Sequence, residues 1–355
     1  MDDPGQFVDY IITQYLTRMH EYPQNNYDAD RFSFDGVDRS KQFDLVLHKQ
    51  YLWFFFQNCI SLHKTYLRLA DQASKKLFLD LIVFHLAGWV HVKLDTNTPQ
   101  YWSLCERAKQ LPATPSTFPY TGLFGPLLHF ENIEYLGHAL KVDCWRGGAI
   151  WNFISGQYYF ARDSVTIAPQ PNDHVVDAGA CFGDTALAFA ATVGRDGRVY
   201  AFEPIGKHLD IIRHNVAQNP QFTDVIRVFP FGLGNVSQGD SAPLQANFLS
   251  PGFSMNAISD SAKLPVETLD NLIRKGAIER VDFIKMDVEG FELKALCGAQ
   301  ETLRRFRPRL AISVYHRPQD MFEVPALLDS LGLGYKFYLD HYTIHGEETV
   351  LYATV

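Results

Sequence analysis

The rhythm of apolar and polar positions changes near residue 150. Before it, residues 7–19 and the long run 43–92 carry apolar side chains at helical spacing, as in Leu62, Tyr66 and Leu69, with charged residues between them. That spacing predicts helices that each bury one stripe. Across 111–126 the pattern lapses, and Pro112, Pro115, Pro119 and Pro126 stand with Gly122 and Gly125, which predicts a loop or cover. Beyond residue 150, short apolar runs alternate with helical segments. Strands are expected near 174–178, 198–202, 225–229, 282–287, 310–315, 335–339 and 348–353. This alternation predicts an α/β fold with a doubly wound, mostly parallel sheet whose last strands supply an antiparallel edge. The expected organisation is a mainly helical accessory region at 1–150 followed by a Rossmann-like domain at 151–355. No internal repeat or low-complexity tract interrupts it.

Composition narrows the function classes. A chain of 355 residues with 46% hydrophobic content can fill one large core plus an accessory one. The formal net charge of -8, with no basic stripe interleaved with aromatics, gives no electrostatic reason to bind a nucleic acid. Cys59, Cys105, Cys144, Cys181 and Cys297 are odd in number and lack C-x-x-C spacing, so reduced thiols and a cytoplasmic setting are expected. The apolar run 51–56 is too short to span a bilayer, and 77–92 is interrupted by Asp80, His85 and His91. The opening MDDPGQF lacks the basic-then-apolar order of a secretory signal.

The densest chemistry lies in VVDAGACFGD, Val175 to Asp184. An apolar pair closes on Asp177, Gly179 and Gly183 flank a turn, and Asp184-Thr185-Ala186 opens a helix. A glycine at 179 lets backbone approach a ligand, and one at 183 lets the helix pack close to the strand. The next strand ends at Glu203, where a carboxylate suits the two hydroxyls of a ribose. A dinucleotide loop would need G-x-G-x-x-G, but Cys181 and Asp184 occupy the later glycine places, and a carboxylate at the helix start repels a pyrophosphate. Asp177 and Asp184 instead suit the amino group and sulfonium of S-adenosylmethionine. The expected cofactor-binding set is Asp177, Gly179, Ala180, Gly183, Asp184, Thr185, Glu203, Pro204 and Gly232. Pro204 and the Phe231-Gly232-Leu233 turn would wall the adenine, with simple loop packing as the alternative.

Read in order, VVDAGACFGDTALAFA, VYAFEPIGKHLDIIRHNV, VETLD, VDFIKMDVEGFELKALCGAQETLRRFRPRLAISVYH, YKFYLDHY and ETVLYA resemble the FkbM family of S-adenosylmethionine-dependent methyltransferases. The resemblance runs from about Gln157 onward. It implies a class I methyltransferase fold with a seven-stranded sheet, and a methyl acceptor that is a hydroxyl of a sugar, polysaccharide precursor or secondary metabolite. Cys181 departs from the asparagine that many members carry there.

Methyl transfer to a hydroxyl is an in-line displacement, so the protein must align the oxygen, exclude water and remove a proton. Asp287 is expected at the end of the strand 282–287, Glu289 two residues on, and His316 just beyond the neighbouring strand. These three are the candidate catalytic residues, with a neutral His316 imidazole as the preferred base. Helix capping is the alternative for the two acids, and His341 is a second candidate base. The same three residues offer ligands to a divalent cation that would acidify the acceptor. Lys285 is expected to be structural, Asp270 to order its own segment, and Glu348 to support the site or to be an edge charge. Trp53, Trp89, Trp102 and Trp145 read first as core, with a ligand face or a dimer surface as alternatives. Arg146 beside Gly147-Gly148 would suit a sugar phosphate, and 157–160 would bring the cover back to the site. Residues 111–150 and 238–266 are expected to shape the acceptor pocket. A non-catalytic protein that binds S-adenosylmethionine, and a nucleotide-dependent oxidoreductase, remain the competing functions.

Overall fold

Seven of the apolar runs form the seven strands of one sheet: β1 His174–Ala178, β2 Arg198–Phe202, β3 Ile226–Phe229, β4 Phe283–Met286, β5 Arg309–Ser313, β6 Lys336–His341 and β7 Thr349–Thr354. This computed structural model describes residues 1–32, 39–122, 125–236, 241–243 and 263–355. The strand order is β3-β2-β1-β4-β5-β7-β6. Neighbours from β3 to β5 are parallel, and β7 runs antiparallel to both β5 and β6. The reversed strand therefore lies one in from the edge, because β6 turns straight back into β7. The strand order reverses between β1 and β4, so the loops after these two strands flank the crevice where ligands of open α/β sheets bind.

Both faces of the sheet are covered, which is why its strands read as unbroken apolar runs. On one face Val176, Ile284 and Ile312 join the helices Pro4–Arg18, Leu45–Arg68 and Gln72–Ala87 in a single apolar core. Those helices start where a short polar side chain can accept a backbone N–H: Asp3 from Gln6, Asp44 from Leu47 and Asp71 from Ser74. Arg162 then ties the Asp71 turn to the sheet edge, donating to Asp71, to Ser74 Oγ and to the Leu339 carbonyl. Trp53, expected in the core, is 63% exposed, because it lies on the outer face of its helix.

On the other face Val175, Phe283 and Tyr352 pack with the helices Asp184–Val193 and Gly206–Gln218 and with an antiparallel hairpin, Leu128–Tyr135 and His138–Cys144. The hairpin stands in a region expected to be mainly helix and loop. Two asparagines of the Gly206–Gln218 turn region pair with its outer strand. Asn215 exchanges hydrogen bonds with the backbone of Asp143, and Asn219 does so with Lys141. Residues 123–124, 237–240 and 244–262 lie outside the described residues, so most of the 238–266 segment does too.

At the end of β6, His341 is fully committed inside the fold. Its Nε2 donates to the His345 carbonyl at 2.7 Å, and its Nδ1 faces the Thr349 hydroxyl at 2.8 Å. Burial, with smaller help from His85 and Arg31, pushes its pKa down to about 3. A second catalytic base is thus not available at this position. Folded, His341 stays neutral down to about pH 3, whereas the unfolded chain takes up a proton below its ordinary pKa of 6.5, so this histidine removes stability as the pH falls. The stability gap between wild type and His341→Asn should therefore narrow by about 2 kcal/mol between pH 7 and pH 5. Urea denaturation at the two pH values checks this, and an unchanged gap would contradict the buried neutral ring.

Candidate active site

The loop after β1 is held from three sides. Asp287 N–H donates to the Ala178 carbonyl at 3.1 Å, while Gly179 and Ala180 N–H both donate to the Phe202 carbonyl at 3.0 Å. Gly179 has φ +78°, and a methyl group on its Cα would overlap the Asp287 carbonyl oxygen. Only glycine meets both conditions. Gly183, at φ +82°, precedes the Asp184–Val193 helix, where a Cβ would lie 3.2 Å from Ile212 Cγ2. The backbone at Cys181 is also left-handed, at φ +49°, and its N–H donates to Glu203 Oε2 at 3.1 Å.

Beneath this loop lies a buried ion pair. Lys285 Nζ on β4 is 3.1 Å from Asp177 Oδ1 and donates to the carbonyls of Ala178 and Gly179 at 3.2 and 2.7 Å. Burial works against its charge, but Asp177 and then Asp287 outweigh it and hold the ammonium pKa above its usual value. The other Asp177 oxygen accepts from Thr185 Oγ1 at 2.6 Å. Asp184 is buried beside it, and its carboxyl pKa is raised by burial, while Asn152 Nδ2 donates to it at 2.8 Å. Asn152 belongs to a π-helical turn, Ala149–Ser155. Such turns are frequent at functional sites.

Glu203 sits at the end of β2 as expected, and its carboxylate is tied to its own surroundings. It accepts from Cys181 N–H and from Ile205 N–H at 2.8 Å, and lies 3.4 Å from His208 Nδ1. Each oxygen keeps a further lone pair for a hydroxyl donor. Pro204 and Gly232 face each other, since a Cβ at 232 would lie 3.6 Å from Pro204 Cγ.

The three candidate catalytic residues meet across the ends of β4 and β5. His316 Nε2 is 3.2 Å from Asp287 Oδ1 and 3.4 Å from Glu289 Oε2, while its Nδ1 is 2.8 Å from Glu292 Oε1. Burial alone would lower the histidine pKa, but Glu292, Glu289 and Asp287 together raise it well above 6.5. The imidazole expected at His316 thus lies among three carboxylates that raise its basicity. Burial raises Glu289 to about 7, against the opposing pull of His316. Glu289 adopts φ +55°, an uncommon backbone state for a side chain of its size.

Several partners of this cluster had only weak sequence signals. Tyr158 Oη donates to Asp287 Oδ2 at 2.8 Å, and Gln157 Nε2 donates to Glu348 Oε2 at 2.8 Å, so the 157–160 segment does return to the site. Tyr315 Oη also reaches Glu348, at 3.4 Å. Arg31 pairs with both Glu347 and Glu348, at 3.1 and 2.7 Å, linking the helical region to the same corner. Arg146 is turned away from it and donates to the carbonyls of Ala108 and Leu111 at the end of the Pro99–Gln110 helix, so it is not free for a sugar phosphate. Asp270 accepts from Thr302 N–H, Thr302 Oγ1 and Glu301 N–H and thereby caps the Gln300–Phe306 helix.

The strand order and the glycine loop between β1 and its helix define a class I methyltransferase fold. Residues 177–337 match the family described as Methyltransferase FkbM domain. A curated relative, Hexuronic acid methyltransferase AglP of Haloferax volcanii, is 25% identical over 208 residues, which is 56% of this chain and 80% of that protein. Among solved structures, Methyltransferase FkbM from Methylobacillus flagellatus superposes with a TM-score of 0.53 at 20% identity. That match takes in 84% of this chain, and this chain spans only 59% of that structure's length. Among the described residues, no helix is long and apolar enough to cross a membrane.

Removing the buried cation should be costly. Lys285→Met leaves Asp177 buried without its partner and should lower stability by about 3–5 kcal/mol, as read by urea unfolding. A loss below about 1 kcal/mol would show that the pair does not hold the loop.

Proposed function

We propose that this protein transfers the methyl group of S-adenosylmethionine to a hydroxyl of a sugar acid or a related carbohydrate. The observation that carries the reading is the charge of the crevice. Asp177 near the end of β1, Asp184 at the start of the next helix, Glu203 after β2, and Asp287 and Glu289 after β4 gather at one end of the sheet, and Lys285 is already engaged with Asp177. A ligand with a sulfonium and an ammonium group complements such a site, whereas a pyrophosphate would be repelled. Glu203 would take the ribose, Pro204 and Gly232 the adenine, and the Gly179 and Ala180 backbone the methionine end. Thr185 supports that end through Asp177, and Gly183 sets the angle of the Asp184 helix.

On the acceptor side, Asp287, Glu289 and His316 would orient the hydroxyl and promote the loss of its proton. The oxygen attacks the methyl carbon, a C–O bond forms, and the C–S electron pair stays on sulfur, giving neutral S-adenosylhomocysteine. The sugar-acid acceptor is supported by the likeness to the hexuronic acid methyltransferase of Haloferax volcanii. The rival reading as a non-catalytic binder is disfavoured by an assembled acid–histidine cluster beside the loop.

The test is transfer of labelled methyl from S-adenosylmethionine to uronic acid glycosides, with neutral hexosides as comparison. Base-stable label on the sugar acid is expected, and base-labile label would move the acceptor to the carboxylate. Glu203→Gln should raise the S-adenosylmethionine Kd about tenfold. His316→Gln should leave that Kd nearly unchanged and lower kcat by about 100-fold or more. Full turnover by His316→Gln would remove this residue from the acceptor site.

A further inference from the structure

We infer that Asp287, Glu289 and His316 form a binding site for one divalent cation of the Mn2+ class, which carries the acceptor oxygen. The inference rests on the methyltransfer reading for its role, but not for its geometry. His316 is 9% exposed, and its Nε2 makes no hydrogen bond even though two carboxylate oxygens lie at 3.2 and 3.4 Å. Glu289 Oε2 is likewise covered and without a hydrogen-bond partner. Atoms bound about 2.1 Å from a common metal at about 90–110° stand about 3.0–3.4 Å apart, which is the spacing of Nε2 from each oxygen.

The surrounding contacts are those that orient metal ligands. Glu292 Oε1 lies at Nδ1, the nitrogen on the far side of the ring, and also accepts the Val288 N–H at 2.8 Å. It would fix the imidazole with Nε2 directed at the cation. Tyr158 Oη donates to Oδ2 of Asp287, leaving Oδ1 toward His316. Among the described residues, the trio whose potential ligand atoms all lie within 4.8 Å of one another is Asp287, Glu292 and His316, and Glu289 joins it through its 3.4 Å approach to Nε2. Two carboxylates with one imidazole suit Mn2+, since oxygen donors favour Mg2+ and Mn2+ while the nitrogen adds affinity for first-row metals.

A cation here also resolves a charge conflict in the proposed reaction. A uronate acceptor brings a carboxylate toward Asp287 and Glu289, and an alkoxide forms beside them. A divalent ion with open positions would bind both acceptor oxygens and stabilise the alkoxide, the hydroxyl proton leaving to water.

Mn2+ titrated into chelator-stripped full-length protein, without S-adenosylmethionine, reads the site through loss of the free-ion electron paramagnetic resonance signal. About one ion per chain is expected. Asp287→Asn and His316→Gln should weaken binding at least tenfold, and Glu292→Gln by about 10–100-fold. Glu106→Gln, an exposed carboxylate on the Pro99–Gln110 helix, should leave it unchanged. Thermal unfolding of each variant checks that it is folded. Absence of Mn2+ binding by the wild type, or binding that survives all three substitutions, would overturn the inference. Methyl transfer undiminished in a chelator would overturn it too, while leaving the methyltransferase reading intact. Bound Mn2+ sensitive to the substitutions, with no transfer to any acceptor, would support the cation site and count against that reading instead.

Discussion

The site depends on a surplus of buried negative charge at the carboxyl ends of the sheet strands. Asp177, Asp184, Glu203 and Glu292 are buried there and Asp287 and Glu348 half-buried, while Lys285, His316 and Arg31 pair with Asp177, Glu292 and Glu348 respectively. Buried carboxylates are expensive unless they are paired or hydrogen-bonded. Lys285 neutralises one of them and, through the Ala178 and Gly179 carbonyls, fixes the loop on which the cofactor would rest. The remaining charge is balanced only in part, so the crevice is prepared for cationic ligands before any arrives.

The helical region is part of this arrangement and not simply a cover. Its helices share an apolar core with one face of the sheet, and Arg31 reaches Glu347 and Glu348. Those contacts hold Arg31 well above its usual pKa, although burial alone would lower it. Glu348, at φ +65°, in turn accepts from Gln157 and Tyr315. A continuous chain of polar contacts thus links the N-terminal region to the residues around Asp287.

Much of the sheet was legible because strands buried on both faces leave short apolar runs that end in polar residues. All seven strands fall within two residues of their expected bounds. The hairpin Leu128–Tyr135 and His138–Cys144 was not legible, because a bulge between Phe130 and Ile133 breaks its alternation and its partners Asn215 and Asn219 lie far along the chain. In the site, residues on the loops after strands could be picked out from motif and position. Glu292 could not, since it acts through a contact made only in three dimensions, and Tyr158 was legible only as part of the 157–160 segment and not by its bond to Asp287. The surroundings of His316 were not legible for the same reason, since the three carboxylates that raise its pKa come together only in the fold.

The most direct test of a crevice built for a cationic nucleoside is calorimetric titration of the purified protein with S-adenosylmethionine, with a nicotinamide dinucleotide as control. Saturable binding of one S-adenosylmethionine per chain and no heat from the dinucleotide is the predicted result. Binding of the dinucleotide, with silence from S-adenosylmethionine, would contradict the account.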